Sequence, residues 1–455
     1  MGAGPLTRTP PRAAGSYHLA VADLIQQVRD LPAGAPIRLG KKTSNLFRTR
    51  ARSDTPRLDV SAFNGVLGVD VAHRTAEVLG MTTYEELCDA TLPHGLMPLV
   101  VPQLKTITLG GAVAGLGIES TSFRSGMPHE SVLEVDILTG AGRVLTVRPG
   151  EELFEAFPNS YGCLGYALRL VISLEQVQPF VHLTHEPFEN YADLTARLVQ
   201  MCGQADVDFV DGTAFSPSEL YLTIGRWSAV SEQAPSDYTL LDIYYRSIQQ
   251  RRTDVLTARD YLWRWDTDWF WCSRAFGAQR RWVRRVLGRR WLRSDTYWKI
   301  LGLEERWHLK ARWDARRGLP TQEAIVQDVE VPVEHLGQFL AFLDEHTGIR
   351  PVWICPIRPA KRWPLYDLDP GRLWVNVGFW SAAPLPPGAT DGFHNRAIEA
   401  EVTRLGGKKS LYSTAFYDKK EFDRLYNGEH LRSVKATHDP ENRLLDLYDK
   451  VVRRH

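Results

Sequence analysis

Four glycines and two alanines fall within the fifteen residues Thr106–Ser120, which read TITLGGAVAGLGIES. A backbone so stripped of side chains can approach a ligand closely and aim several N–H groups at an anion. The upstream loop Gly40-Lys41-Lys42-Thr43-Ser44-Asn45 offers the same service with two lysines. Two separate loops of this kind suit a pyrophosphate held between them. The alternative is a pair of tight, Gly-rich turns that bind nothing.

Two nucleotide motifs are excluded at these places. Around Gly40-Lys41-Lys42-Thr43, Ala35 stands where a P-loop needs its first glycine and Lys42 where it needs Ser or Thr. Gly115-Leu116-Gly117-Ile118-Glu119-Ser120 begins as GxGxxG but ends in serine. It has no strand pattern running into it and no helical pattern leaving it, so a Rossmann turn is rejected.

The chain of 455 residues is long enough for two or three domains. With 44% apolar and 24% charged residues it can bury a sizeable core. A formal charge of +1 removes any global argument for nucleic acid or an acidic partner. The five cysteines are widely spaced with no CxxC pair, which fits a reducing compartment and no disulfide framework. The N-terminus MGAGPLTRTPPRAAGS lacks the apolar stretch of a signal peptide, and Leu6 stands where myristoylation wants Ser or Thr. No run approaches the length of a transmembrane helix. The histidines show no metal-ligand spacing, so no metal is assigned. The expectation is a cytoplasmic protein, peripheral at the inner membrane face if the aromatic stretch described below touches lipid.

Helical spacing of Val21, Leu24, Ile25, Val28 and Leu31 predicts a helix near 17–31. Short strands are expected at Pro36–Leu39, Arg57–Val60 and Val66–Val78. Thr83-Tyr84-Glu85-Glu86 is a capping box opening a helix that closes before Gly95. Val132–Thr139 and Arg143–Val147 read as a hairpin turned by Gly140-Ala141-Gly142. Farther on, strands at Tyr221–Trp227, Ile325–Val333, Pro351–Ile357 and Arg372–Trp380 predict a mostly antiparallel sheet. A helix carrying Leu336, Phe339, Leu340 and Leu343 on one face lies between them, closed by Gly348. The fold class is α+β, with two sheets in two domains.

Taken in order, several segments resemble one family. TITLGGAVAGLGIESTSFRSG (106–126) matches best, supported by LPHGLMPLVVPQL (92–104), HESVLEVDILTGAGRVL (129–145) and PNSYGCLGYALRLVISL (158–174). VQDVEVP (326–332), VWICPIRP (352–359), LWVNVGFW (373–380) and LYSTAFYDKKEF (411–422) continue the likeness. The chain resembles the flavoproteins of the vanillyl-alcohol oxidase/p-cresol methylhydroxylase fold, and within them the Δ24-sterol reductases.

That resemblance implies FAD in a two-subdomain PCMH-type FAD-binding domain under a cap domain with a mostly antiparallel sheet. The expected division is a tail at 1–15, the FAD-binding domain at 16–180, the cap at 181–409, and a C-terminal segment at 410–455 returning to the FAD domain. The main FAD loop would be Thr108 to Ser120, with Thr108, Gly110, Gly111, Gly115, Gly117, Ile118, Glu119 and Ser120 in contact. Gly40, Lys41, Thr43, Ser44 and Asn45 would form the first pyrophosphate loop. Gly162 and Gly165 would add a third backbone contact. Family members with covalent flavin carry a histidine in the first loop, where this chain has Lys41-Lys42-Thr43-Ser44, so non-covalent FAD is expected. The sequence offers no counterpart to the N-terminal anchor of the animal sterol reductases, which turns the expectation away from sterol itself.

In such a fold the cap sheet looks down on the flavin ring, so polar residues on cap strands are catalytic candidates. Strand alternation puts Val326, Asp328 and Glu330 on one face, the two carboxylates about 6.6 Å apart along it. A carboxylic acid kept protonated there can give its proton to an alkene carbon as hydride arrives at the other. The alternative is an acidic solvent face on a half-buried strand. The resemblance favours Asp328 over Glu330. Tyr417, within the C-terminal segment that returns to the flavin, is the other candidate, as proton donor or as packing under the ring. Glu119 reads as a structural group capping backbone N–H groups inside the loop.

Residues 261–317 hold nine of the 14 tryptophans interleaved with 13 arginines. Such a composition serves an interfacial membrane segment, a single-stranded nucleic-acid platform, or cap core with paired arginines. The membrane reading is placed first and nucleic acid last. Together these readings describe an FAD-dependent reductase of an isolated C=C bond in a lipid, with NADPH as transient donor because no dedicated Rossmann site is found. The substrate is a methylene-branched fatty acyl chain or a sterol side-chain alkene. Two competitors remain: an oxidase or dehydrogenase of a polyol, lactone or hydroxy acid, and a non-catalytic lipid- or partner-binding protein on the same fold.

Overall fold

The computed structural model describes residues 11–32, 34–41, 47–48, 56–307 and 320–453. An N-terminal helix, Pro11–Asp30, buries Tyr17, Leu24 and Val28 on the stripe that the periodicity marks. Six strands follow: β1 (Val66–Asp70), β2 (Thr75–Leu79), β3 (Leu96–Pro98), β4 (Val132–Leu138), β5 (Val144–Val147) and β6 (Tyr166–Gln176). They form one sheet in the order β1-β2-β6-β4-β5, with β3 paired to the far part of β6. Every pairing is antiparallel.

The hairpin β4–β5 stands where it is expected, and the capping box at Thr83 opens the helix Tyr84–Thr91 with both reciprocal hydrogen bonds made. Two local expectations need correction. Val66–Val78 is not one strand but the hairpin β1–β2, because Asp70 Oδ1 accepts the His73 N–H at 3.0 Å and turns the chain. Pro36–Leu39 and Arg57–Val60 make only a single parallel bridge, Leu39 to Leu58. These runs are too short to extend a ladder.

The chain leaves the first sheet at Gln176 and enters the second at Phe180. That sheet comprises β7 (Phe180–Phe188), β8 (Phe209–Ser216), β9 (Glu219–Ser228), β10 (Thr253–Thr257), β11 (Gln322–Pro332), β12 (Val352–Ile357), β13 (Trp374–Pro384) and β14 (Lys408–Lys409). Its order is β10-β7-β9-β8-β12-β13-β11-β14, again antiparallel throughout. Helices Tyr191–Cys202, Leu336–His346 and Phe393–Arg404 cover one face, where Leu336, Phe339, Leu340 and Leu343 pack against Ile325, Val329 and Val377. The period of two then turns Asp328 and Glu330 toward the opposite face. This inner face meets the Gly-rich loop of the first domain: Val210 N–H donates to the Ser120 carbonyl at 2.9 Å, and Arg358 N–H to the Ser122 carbonyl at 3.0 Å.

Residues 308–317 of the Trp/Arg-rich stretch lie outside the described residues, and the described part divides in two. Trp263, Trp265, Trp269 and Trp271 are buried within the large core cluster, and the Trp271 indole donates to the Trp380 carbonyl at 3.0 Å. Trp282 and Trp291 are exposed. Among the described residues no helix is long and apolar enough to cross a membrane.

Candidate active site

Thr108 caps a one-and-a-half-turn helix, Leu109–Ala114: its Oγ1 accepts the Gly111 N–H at 3.3 Å and the Lys41 ammonium at 3.2 Å. A cation is thus held at the mouth of the Gly-rich loop. Gly110 is pinned against β2 and β6, where a β-carbon would stand 2.7 Å from the Gly80 carbonyl oxygen. Gly111 instead faces outward, and a β-carbon there would press on Thr108 Oγ1 at 2.8 Å. Gly40 bonds to the Leu58 carbonyl at 2.8 Å, while Thr43, Ser44 and Asn45 lie outside the described residues.

The second half of the loop packs on the turn 158–162. The Ala114 and Gly115 carbonyls accept the N–H groups of Tyr161 and Asn159 at 2.8 and 3.1 Å. Gly115 has no room for a side chain, since its β-carbon would lie 3.1 Å from the Tyr161 ring. Gly117 is closed in by Pro128 and Pro102, and Ile118 is buried. Within the turn, Asn159 and Tyr161 take left-handed φ values of 62° and 47°, a conformation held by the surrounding structure. Gly162 and Gly165 follow at φ 77° and 142°, which glycine adopts without strain. Among the described residues the turn leaves Asn159 Oδ1 and Ser160 Oγ buried without partners. Lys450 donates to the Tyr161 carbonyl at 3.2 Å, and burial pulls its ammonium down to about 8. The Arg48 guanidinium lies 5.0 Å over the Tyr161 ring.

Opposite this turn stand the carboxylates. Asp328 pairs across the sheet with Gly378, and Glu330 with Asn376. Burial raises the Asp328 carboxyl to about 7, against the stabilising influence of the Asn376 amide and the Tyr412 hydroxyl beside it. Glu330 is pushed well above the carboxylate range by burial and then by the charge of Asp328. It accepts hydrogen bonds from the Tyr366 hydroxyl and, at 3.2 Å, from Ser410 Oγ. Tyr412 in turn accepts the Trp380 indole N–H at 2.8 Å. Both carboxylates are near enough for their charges to raise the Tyr161 phenol. Phe47, Trp269, Trp298 and Trp380 close one side, with Phe47 ring-to-ring distances of 4.5 Å to Trp298 and 4.9 Å to Trp380.

Not every candidate residue gathers here. Tyr417 lies on the other side of β11, beside Glu399 and Thr403 of the helix Phe393–Arg404. The tyrosine at the carboxylates is Tyr412, five residues earlier in the same segment. The Glu119 carboxylate lies beside the Ser120 N–H of its own loop, but its main partners are side chains. It accepts from Arg264 at 2.7 Å, and Arg264 also donates to Asp211 at 3.0 Å. Ser120 Oγ donates to Glu119 at 2.7 Å and lies 2.8 Å from the Tyr261 hydroxyl. This buried triad ties the loop to the large sheet. An acid inside a loop otherwise made for anions finds its cation 145 residues away.

The sequence reading also missed Tyr161, Asn376, Tyr412 and Trp380. Asn376 and Trp380 sit at the same alternation in β13 as Asp328 and Glu330 do in β11, so strand period was the available signal. Tyr161 and Tyr412 lie in irregular segments that carry no such period.

The arrangement suits a bound FAD. Lys41, Thr108 and the exposed backbone at Gly111 form one polar end. Asn159 Oδ1 and Ser160 Oγ, unpartnered among the described residues, form the other with the buried Tyr161 hydroxyl. Buried polar atoms in such number are normally satisfied, and a polar heterocycle would do so. Comparison with known proteins agrees. Residues 20–148 match the family described as FAD binding domain. The chain is 23% identical over 440 residues to the Delta(24)-sterol reductase of Arabidopsis thaliana, spanning 86% of this chain and 76% of that protein. Against the Delta(24)-sterol reductase of Homo sapiens it is 22% identical over 406 residues, spanning 85% and 76%. A shorter match, 30% identical over 141 residues, joins 30% of this chain to Cytokinin dehydrogenase 5 of Arabidopsis thaliana.

Proposed function

We propose that this FAD-dependent oxidoreductase, similar along most of its length to the Δ24-sterol reductases, reduces an isolated carbon–carbon double bond in a lipid. One observation carries the reading: Asp328, a buried acid whose pKa is raised to about 7, faces the Tyr161 turn from the inner face of the large sheet. Net reduction of an alkene puts a hydride on one carbon and a proton on the other. Lys41, Thr108, Gly111 and the turn 159–161 would hold FAD non-covalently, and in its reduced form it would supply the hydride.

The protein's task is then the proton. A carboxylic acid that stays neutral to about pH 7 in a dry site is available as general acid toward an alkene carbon. Giving up that proton leaves a carboxylate, which Tyr412 and Asn376 stabilise from the side. Burial and the neighbouring Asp328 charge push the Glu330 carboxyl well above the carboxylate range, which favours the neutral form that avoids repulsion as Asp328 ionises. Phe47, Trp269, Trp298 and Trp380 exclude water and favour an apolar chain. A methylene-branched fatty acyl chain, reduced to its methyl-branched product, is the first substrate; a sterol side-chain alkene is the second. NADPH is the proposed donor and docks transiently.

The competing reading is oxidation of a polyol, lactone or hydroxy acid, and the shorter likeness is to a protein named as a dehydrogenase. The visible spectrum of the purified protein under anaerobic conditions separates the two. Bleaching by NADPH and recovery on adding a methylene-branched phospholipid, or a sterol with a side-chain alkene, is the expected result. A flavin that ignores NADPH but is bleached by a polyol or hydroxy acid overturns the reductase reading. A colourless protein that takes up no FAD makes it a lipid- or partner-binding protein on the same fold.

A further inference from the structure

The segment Arg280–Trp291 contains six arginines, two tryptophans and no acid. Arg284 points inward: it is fully buried, donates to Asp268 at 2.5 Å, and also bonds the Leu240 carbonyl. Trp282 and Val286, two residues to either side, lie about 160° around the helix from it. They are 63% and 79% exposed. Gly288 breaks the helix with φ 66°, and Trp291 beyond the break is 51% exposed. With Arg284 anchored inward, the same helix turns Trp282 and Val286 outward.

The arginines sort by partner. Arg289 pairs with Asp237, and Arg281 with Asp242 at 3.6 Å. Arg280, Arg285 and Arg290 are exposed and have no ion pair among the described residues. Three uncompensated guanidinium groups therefore surround an outward aromatic and aliphatic face. Soluble surfaces seldom expose such a combination without a partner. Indole bodies at headgroup depth with cations at phosphates are what an anionic bilayer surface accepts.

The next helix in the chain is Ser294–Trp307. Ile300 is 39% exposed, while Trp298, half-buried, packs on Phe47, which touches Trp380. Trp380 donates to Tyr412 beside Asp328. An aromatic path thus runs from the half-buried Trp298 to the carboxylates.

We propose that Trp282, Val286 and Trp291, with Arg280, Arg285 and Arg290, dock this protein on an anionic lipid bilayer. The docking does not depend on the reaction assigned to the site, and its test does not measure turnover. The full-length protein is mixed with vesicles of phosphatidylcholine alone or with a third of phosphatidylglycerol, and the sedimented fraction is followed with salt. The expected result is association with anionic vesicles, weakening as salt rises. The double variants W282A/W291A and R285Q/R290Q should each weaken it about tenfold. Brominated lipid should quench part of the wild-type tryptophan emission, a check that needs no variant. Absence of wild-type binding to anionic vesicles overturns the proposal, as does binding that neither double variant changes. Self-association in solution that W282A/W291A abolishes, without vesicle binding, also overturns it and makes the face a protein interface.

Discussion

Asp328 Oδ1 occupies the space that a β-carbon on Gly378, its partner across the sheet, would need. The carboxyl therefore lies flat over the strand, with the Asn376 amide 3.6 Å from that same β-carbon position. The absence of a side chain at residue 378 sets where the acid sits.

Gly378→Ala should fold, because the group in its way is the end of a short side chain that can turn. Turnover is expected to fall by about two orders of magnitude as the carboxyl is displaced. The ratio of flavin to protein absorbance should stay at the wild-type value. A variant of unchanged activity would show that the position of Asp328 is immaterial.

Asp328→Asn should retain FAD and slow alkene reduction by roughly 10²–10⁴-fold, the usual share of a general acid. In the wild type the rate of that step should decline as pH rises through about 7, where the acid is lost. Stability carries a matching signature. The folded pKa of about 7 lies above the unfolded value near 4, so ionisation works against the fold. The stability tied to Asp328 is complete below about pH 4 and drains away as pH climbs to about 7. Thermal melts of wild type and Asp328→Asn across that window should diverge accordingly.

Tyr412→Phe removes a hydroxyl that stabilises the Asp328 carboxylate and accepts from Trp380. The Asp328 pKa should rise, moving the alkaline limb of the rate profile to higher pH. The unpaired indole N–H should lower stability by about 1–2 kcal/mol. A limb that stays in place would separate Tyr412 from the acid.

Gly111→Val should lose flavin. Its β-carbon would press on Thr108 Oγ1 and stand 3.5 Å from the Lys41 ammonium, at the polar end assigned to pyrophosphate. The visible absorbance of the purified variant, before and after incubation with FAD, is the measurement. Full flavin content would move the phosphate site elsewhere.

Arg264→Gln leaves Glu119 and Asp211 buried without their shared cation. Breaking such a group by removing one member costs about 3–5 kcal/mol, so a large fall in the denaturation midpoint is expected. Double replacement of Glu119 and Arg264 by apolar residues should recover part of the loss, which a general packing defect would not.

Much of the scaffold could be read residue by residue, because it rests on local rules. The capping box at Thr83 and the hairpin at Gly140–Gly142 depend on neighbours within a few positions. Alternation along Ile325–Val331 turned Asp328 and Glu330 to one face before any partner strand was known. The glycines of Thr106–Ser120 announced a backbone that something approaches closely, since few other reasons crowd them so.

What lay beyond local reading involved contacts between distant segments. Tyr412 and Tyr417 share one irregular stretch, and no period decides which of them turns toward β11. Trp265 and Trp282 have the same chemistry, yet one is 1% exposed and the other 63%. Composition treats them alike; burial depends on which residues of the inner sheet face lie opposite. Glu119 and Arg264 could be seen only as an odd acid and one arginine among many until the fold brought them to 2.7 Å. Amino-acid order settles torsions, caps and faces through neighbours a turn or a strand away. Which polar groups share a buried space is set by the packing of two sheets, and that is where the pKa of Asp328 is made.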